Sequence, residues 1–399
     1  MTLDIFKEKG TPLDKQVFTW RDLVQAPTSK LDDDAFTRVR IILMNGLEAN
    51  AIRTSHAMAR MMNGEMRLPL AKVRRVEQHQ QTMVNWLLPA DLSPLETTIG
   101  FEQVAIEVTA SVALREPDEY LAQVYRFGLL EDFDHLYRFS ALMDRIAGGD
   151  ANNILQNYTD IMPGRPTMVE HRAPEDDLRE HYDSTTADPL TKLHALTITA
   201  AENQTHDYYM TIGPMFADPL ARQLYAEIAS IEEQHTTQYE SLLDPKETPL
   251  EKWLMHEAME VYNYFSCMQY ETNPRVKDIW TRFVDYELGQ MHMVMELFKQ
   301  MDGRDPAQIL PATLPEPIDY QSHRQFVRET LTNEVDLRAS GTQFTHKEDE
   351  EDRSPLSIAY RDQMNSEGSP SEIVAAGYTY TPGTELVEGK SVFAKGASA

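Results

Sequence analysis

Apolar side chains recur at steps of three and four residues from about position 35 to 303, the signature of helices with one buried face. The pattern is broken at Asn63-Gly64, Pro117-Asp118, Asp218-Pro219 and Asn273-Pro274, each lying between two periodic segments. These turn residues predict four αα-hairpins and eight helices, spanning 35–62, 68–88, 95–114, 118–147, 188–212, 218–243, 248–272 and 275–301. A longer, less regular stretch, 148–187, joins the second hairpin to the third and carries GGD, MPGRP and APEDD. Residues 1–34 form a mixed N-terminal segment whose LDDD run is placed to cap the first helix. Beyond Gly303 come Pro306, Pro311, Pro315 and Pro317, one helix expected near 319–338, and an acidic HKEDEEDRS run. The last 40 residues, with YTYTPGTELVEGK in their middle, fit either disorder or a strap around this chain or a second subunit. The expected organisation is a segment 1–34, a helical domain 35–303 and a Pro-rich linker, short helix and tail over 304–399.

Two places in this framework have an acid three residues before a histidine: Asp132 before His135 in LLEDFDHLYRF, and Glu232 before His235 in IASIEEQHTTQY. On a helix that spacing points a carboxylate and an imidazole the same way. Thirty residues before each acid stands a glutamate, Glu102 and Glu202, and both intervals are centred on a hairpin turn. Each glutamate therefore lies across its hairpin, level with the acid and histidine of the partner helix. The candidates fall on apolar stripes: Tyr125, Leu129, Asp132, His135, Phe139 and Met143 on one helix, and Tyr225, Ile228, Glu232, His235, Tyr239 and Leu242 on another. Glu102 shares a face with Ile99 and Ile106, and Glu202 with Ile198 and Tyr209. Glu107, Glu131 and Glu233 fall off these stripes and are expected in solvent. Four buried carboxylates cost several kcal/mol each, roughly, when unpaired, and two divalent cations remove that cost. With two imidazoles the donor set is mixed N/O, which suits iron or manganese; zinc favours tetrahedral sites and calcium avoids imidazole.

A glutamate from each of two helices and an acid-x-x-His from each of the other two resembles the ferritin-like di-iron/di-manganese carboxylate superfamily. IASIEEQHTTQYESLL is similar to the ExxH helices of its rubrerythrin-like members. The resemblance covers about 95–243. It implies an all-α fold, a ferritin-like four-helix bundle with a crossover connection, flanked here by the hairpins 35–88 and 248–301 and an irregular C-terminal tail. It further implies Glu102 and Glu202 as terminal ligands, Asp132 and Glu232 as bridging ligands, and His135 and His235 as one nitrogen ligand per metal. Asp132 stands where the family normally has Glu, one methylene shorter, so a weaker or asymmetric bridge is expected. His206, one turn beyond Glu202, is an additional ligand candidate. Tyr239, one turn beyond His235, is a redox candidate, with packing as the plainer role. Glu257 and Glu287 repeat the spacing in the fourth hairpin with Gln290 in place of His, as a degenerate relic. Glu77 and Gln80 echo it more faintly and are read as structural.

The net charge of −27 disfavours nucleic acid and anionic membranes as partners. The single cysteine, Cys267, excludes an intrachain disulfide framework, a four-cysteine metal site and the paired CxxC of a rubredoxin domain. MTLDIFKEKGTPLDKQ has no apolar core of a leader, and no run approaches about 18 uninterrupted apolar residues, so a cytoplasmic protein is expected. The expected function is a non-haem di-iron oxidoreductase. It would use two iron ions, or manganese, to activate dioxygen or peroxide, together with a small-molecule substrate or electron donor that the sequence does not name. A homodimer is expected, the extra hairpins offering a substrate pocket or a dimer surface. The alternatives are a ferroxidase or iron-handling protein, a manganese catalase, and a helical scaffold that has lost its metal.

Overall fold

The structure is a computed structural model, and it describes residues 3–381. It is predominantly helical. Eight long helices run over Ala35–Met61 (α1), Arg67–Asn85 (α2), Pro94–Arg115 (α3), Glu119–Ala147 (α4), Pro189–Ile212 (α5), Pro219–Glu240 (α6), Pro249–Tyr270 (α7) and Pro274–Met301 (α8). Their starts follow from local chemistry. Asp34, Asp118, Asp188, Asp218 and Asn273 each accept a backbone N–H of the first turn, and Ser93 and Thr248 form capping boxes with Glu96 and Glu251. Proline opens five of the eight, at a position whose N–H has no helical acceptor in any case.

The helices pair as antiparallel hairpins, α1–α2, α3–α4, α5–α6 and α7–α8, and the first helix of each hairpin faces inward. Helix α5 touches α1, α3 and α7, and α1 also touches α3 and α7. Around this centre α3–α6 close one bundle, with α4 meeting α6. The outer hairpins α1–α2 and α7–α8 form the other, with α1 packed on α7. Arg40 of α1 ties that second bundle to the α7–α8 turn through a buried pair with Glu271 (2.8 Å), which also accepts from Trp280.

The remaining segments wrap the bundles. The stretch 148–188 contains only single-turn helices and lies against α4, so closely that a side chain at Gly164 would strike the Leu130 carbonyl and the Asp134 amide. Asp134 anchors it, accepting from Gly164 N (3.0 Å), Thr167 N (2.7 Å) and Thr167 Oγ1 (2.7 Å). The helix expected near 319–338 is shorter, Arg324–Glu334 (α9). Its expected first residues are instead held outside the helix, Asp319 N donating to Ser111 Oγ (3.0 Å) and its carboxylate meeting Arg115 (3.0 Å).

After α9 comes a hairpin that the periodicity does not predict, β1 (Leu337–Ser340) and β2 (Gln343–His346), antiparallel with Leu337 opposite His346 and turning at Gly341 with φ 54°. A single helical turn, Glu350–Arg353, and two longer helices follow, Pro355–Met364 (α10) and Pro370–Ala375 (α11). Helix α11 packs on α4 and α6, and Glu227 of α6 accepts from Ser371 N (2.6 Å) and Ser369 Oγ (2.8 Å). The described part of the tail thus wraps its own chain; residues 382–399 lie outside the described residues. Among the described residues no helix is long and apolar enough to cross a membrane.

Candidate metal centre

The six residues singled out by spacing meet at the middle of the α3–α6 bundle. Glu102 projects from α3, Asp132 and His135 from α4, Glu202 from α5, and Glu232 and His235 from α6, all 0–1% exposed. Their donor atoms fall into two groups, Asp132/Glu202/Glu232/His235 and Glu102/His135/Glu232, within each of which the ligand atoms lie within 4.8 Å of one another. Glu232 belongs to both: its Oε1 lies 3.1 Å from His135 Nδ1 and its Oε2 3.2 Å from His235 Nδ1. Asp132 belongs to one group only, with Oδ1 3.3 Å from His235 Nδ1 and 3.9 Å from His135 Nδ1. The two imidazole rings face each other, 6.0 Å between centroids.

The far nitrogen of each histidine is held by a carboxylate. His135 Nε2 meets Glu170 Oε2 at 3.0 Å, and His235 Nε2 meets Glu131 Oε2 at 2.6 Å. A carboxylate there accepts from Nε2–H and leaves Nδ1 as the nitrogen turned to the cluster, where it meets Glu232. Glu131 is itself neutralised by Arg172, hydrogen-bonded to its Oε1, and by Arg165 at 3.4 Å. Arg172 also reaches Asp177 (3.0 Å), and Arg165 stacks on Phe127, 3.8 Å from the ring centroid. Glu170, Arg165 and Arg172 all come from the crossover 148–188.

Two sequence expectations are corrected. Glu131 and Glu107 are not in solvent but 0% and 2% exposed, because every residue of α3 from Thr98 to Ala113 and of α4 from Phe127 to Met143 is buried by the elements packed around them. Glu107 instead holds the start of α9, accepting from His323 N (2.9 Å) and Thr159 Oγ1 (2.6 Å). Glu233 is exposed, as its position off the stripe suggests. His206 belongs to neither group: the inner face of α5 runs through Glu202, Thr205 and Tyr209, which leaves His206 partly exposed beside Asp207 (3.4 Å). Tyr239 is fully buried one turn from His235, ring centroids 6.2 Å apart, and its hydroxyl has no hydrogen-bond partner. It occupies the space left by Gly128, where a Cβ would collide with that hydroxyl.

Burial drives the protonation of the cluster. It pushes the carboxyls of Glu102 and Glu202 well above their usual range, and raises Asp132 as well. In Glu232 the same burial is outweighed by hydrogen bonds from both histidines, and its carboxyl is held down at about 2. Burial raises Glu170 to about 7 against the pull of His135. Both oxygens of Asp132 and of Glu202, and Oε2 of Glu102, lack any hydrogen-bond partner. Such orphaned acceptors in an apolar core are costly unless something cationic meets them.

Glu170 and Arg172 went unread in the sequence because an irregular stretch carries no periodicity to say which side chains point inward. Glu170→Gln keeps the shape but weakens the hold on the Nε2 proton. For a metal held through His135 Nδ1, affinity should fall about 10–100-fold with the fold intact, read by metal titration beside circular dichroism.

Comparison with known protein families, with curated protein sequences and with solved structures finds no match to this chain.

Proposed function

We propose that the chain is a ferritin-like, non-haem di-iron oxidoreductase whose dinuclear site is built by Glu102, Asp132, His135, Glu202, Glu232 and His235. The observation that carries this reading is the sharing of Glu232 between two carboxylate/histidine groups, each histidine backed by a carboxylate on its far nitrogen. The orphaned oxygens of Asp132, Glu202 and Glu102 fit the metal: they are acceptors with nothing to accept, facing one another in a dry core. A mixed carboxylate/imidazole set suits iron first and manganese second. The terminal ligands would be Glu102 and Glu202, Glu232 would bridge, and Asp132, in one group only, would lean to the metal nearer His235. Iron held by these residues would supply the electrons for reducing dioxygen or peroxide, with an external donor needed to replenish them.

The surrounding residues do the rest. Glu131 and Glu170 keep the histidine protons on Nε2. The Tyr209 hydroxyl donates to Glu102 Oε1, and Tyr209 also lines a cavity of about 210 Å³ with Tyr225, Gly213 and Arg222. Tyr239, with its free hydroxyl beside His235, is the side chain best placed to pass an electron or proton to the cluster.

The test is anaerobic reconstitution of the chelator-stripped protein with ferrous iron, followed by addition of dioxygen. About two irons per chain should be taken up, and dioxygen should then be consumed faster than by the same iron in buffer. Continued oxidation of iron far beyond the bound complement would move the reading to iron handling. Failure to take up iron at all would sink it.

A further inference from the structure

A second cluster of buried acids occupies the middle of the other bundle, α1, α2, α7 and α8. Glu48 of α1, Glu77 of α2, Glu257 and Glu260 of α7, and Glu287 of α8 are all 0–1% exposed. Their positions repeat the first centre helix by helix. Glu48 and Glu257 stand on the inner helices like Glu102 and Glu202. Glu77 and Glu287 stand on the outer helices like Asp132 and Glu232, followed three residues later by Gln80 and Gln290 where the first centre has His135 and His235.

The glutamines knit the acids together. Gln80 Nε2 donates to Glu48 Oε1 (3.2 Å) and to Glu287 Oε1, and Gln290 Nε2 donates to Glu287 Oε1 (3.2 Å) and Gln80 Oε1 (3.1 Å). Tyr264 donates to Glu48, and Trp253 Nε1 to Glu257 Oε1 at 2.6 Å.

These donors leave much unsatisfied. Oε2 of Glu48, Glu77, Glu257 and Glu287 and both oxygens of Glu260 have no hydrogen-bond partner, although all are buried. Oxygens of Glu77, Glu257 and Glu260 converge within 4.8 Å of one another. Glu260 is the informative member. It lies one turn beyond Glu257 on the same face, and the equivalent position in the first centre, three beyond Glu202, is Thr205. A bundle that had only lost its histidines would hold four acids. This one holds a fifth, with both oxygens free, at the position where the first centre has Thr205.

We propose that this second cluster binds one hard divalent cation, of the magnesium, manganese or calcium class, through Glu77, Glu257 and Glu260. The donors are oxygen throughout, the set such ions prefer and the one least suited to holding iron in competition with the histidine-bearing centre. Gln80 and Gln290 hold Glu48 and Glu287 as flanking acceptors rather than ligating. The proposal is independent of the reading of the first centre.

The test uses the full chain carrying Glu232→Ala, which removes the acid shared by both groups of the first centre. After chelator treatment, Mn2+ is titrated in and followed by electron paramagnetic resonance. One Mn2+ per chain should bind, and its spin-echo modulation should show no coupling to imidazole nitrogen. Adding Glu260→Gln, close in shape to the parent, should weaken that binding at least tenfold. Magnesium or calcium should displace the manganese from the Glu232→Ala chain. No Mn2+ bound beyond the weak background, nitrogen coupling on the only ion that binds, or affinity unchanged by Glu260→Gln in a folded protein would each overturn the proposal. Should the double variant not fold, the stoichiometry and nitrogen coupling of the single variant still decide it.

Discussion

On the proposed reading of the first centre, Glu232→Ala should abolish binding of both metals, whereas Glu102→Ala should leave one of the two partly occupied. Glu232 is the only residue in both ligand groups, one oxygen turned to His135 and the other to His235, whereas Glu102 serves a single group. Losing a direct, shared ligand should cost more than the roughly 10–100-fold typical of a residue that only orients a ligand, so occupancy at micromolar metal should fall close to zero. The check is elemental analysis of anaerobically reconstituted parent and variants, with circular dichroism to establish that all are folded. Metal retained equally in Glu232→Ala and the parent would show that the cluster binds nothing through its central acid. The same geometry gives a pH dependence. Burial holds the carboxyls of Glu102, Glu202 and Asp132 above their usual range, so protons compete with metal for these oxygens, and affinity should drop steadily on acidification.

Arg172→Ala should destabilise the metal-free protein by about 3–5 kcal/mol, the usual cost of leaving one member of a buried ion pair alone. Arg172 is 4% exposed and Glu131 0%, and Glu131 is committed on its other oxygen to His235. Against burial, which pushes it up, Arg172 and then His235 and Arg165 hold the Glu131 carboxyl far below the carboxylate range, so its charge is part of the folded state. Denaturant unfolding reads the loss. Pairing Arg172→Met with Glu131→Gln should restore part of it, because the stranded charge is then gone. A loss under about 1 kcal/mol in the single variant would mean that Arg165, 3.4 Å away, carries the neutralisation instead.

The eight helices were legible because their punctuation is chemical. Asp, Asn, Ser or Thr caps followed by proline mark most starts, and the observed ends differ only by a few residues, as at Asn85 rather than 88 and Glu240 rather than 243. The convergence of the six cluster residues was legible because a hairpin converts a fixed spacing into a fixed level across two helices. What escaped was everything that depends on packing from outside a helix. Periodicity assigned Glu131 and Glu107 to solvent, since it assumes one buried face, and neither α3 nor α4 has an exposed face along its middle. Glu48 escaped for a smaller reason: it precedes Glu77 by 29 residues rather than 30, and no histidine follows to draw attention to it. Glu260 has no counterpart in the repeated pattern and could be placed only by seeing which way α7 turns. The β1–β2 hairpin, four residues a strand, is too short for alternation to distinguish it from a loop.

The nesting of the hairpins sets the order in which the molecule can be completed. The middle pair, α3–α4 and α5–α6, has both halves of its bundle once the chain has been made as far as Glu240. The outer bundle joins the first hairpin to the last, so Gln80 must wait for Glu287 on α8 before its amide finds that acceptor. During synthesis, then, α1–α2 emerges with Glu48 and Glu77 already on its inner face and no partner to cover them. The long sequence separation makes their closure the slow, late step. A chain interrupted before α7 would carry the four helices of the middle bundle, still lacking the cover of α9 and α11, and an open, acidic first hairpin.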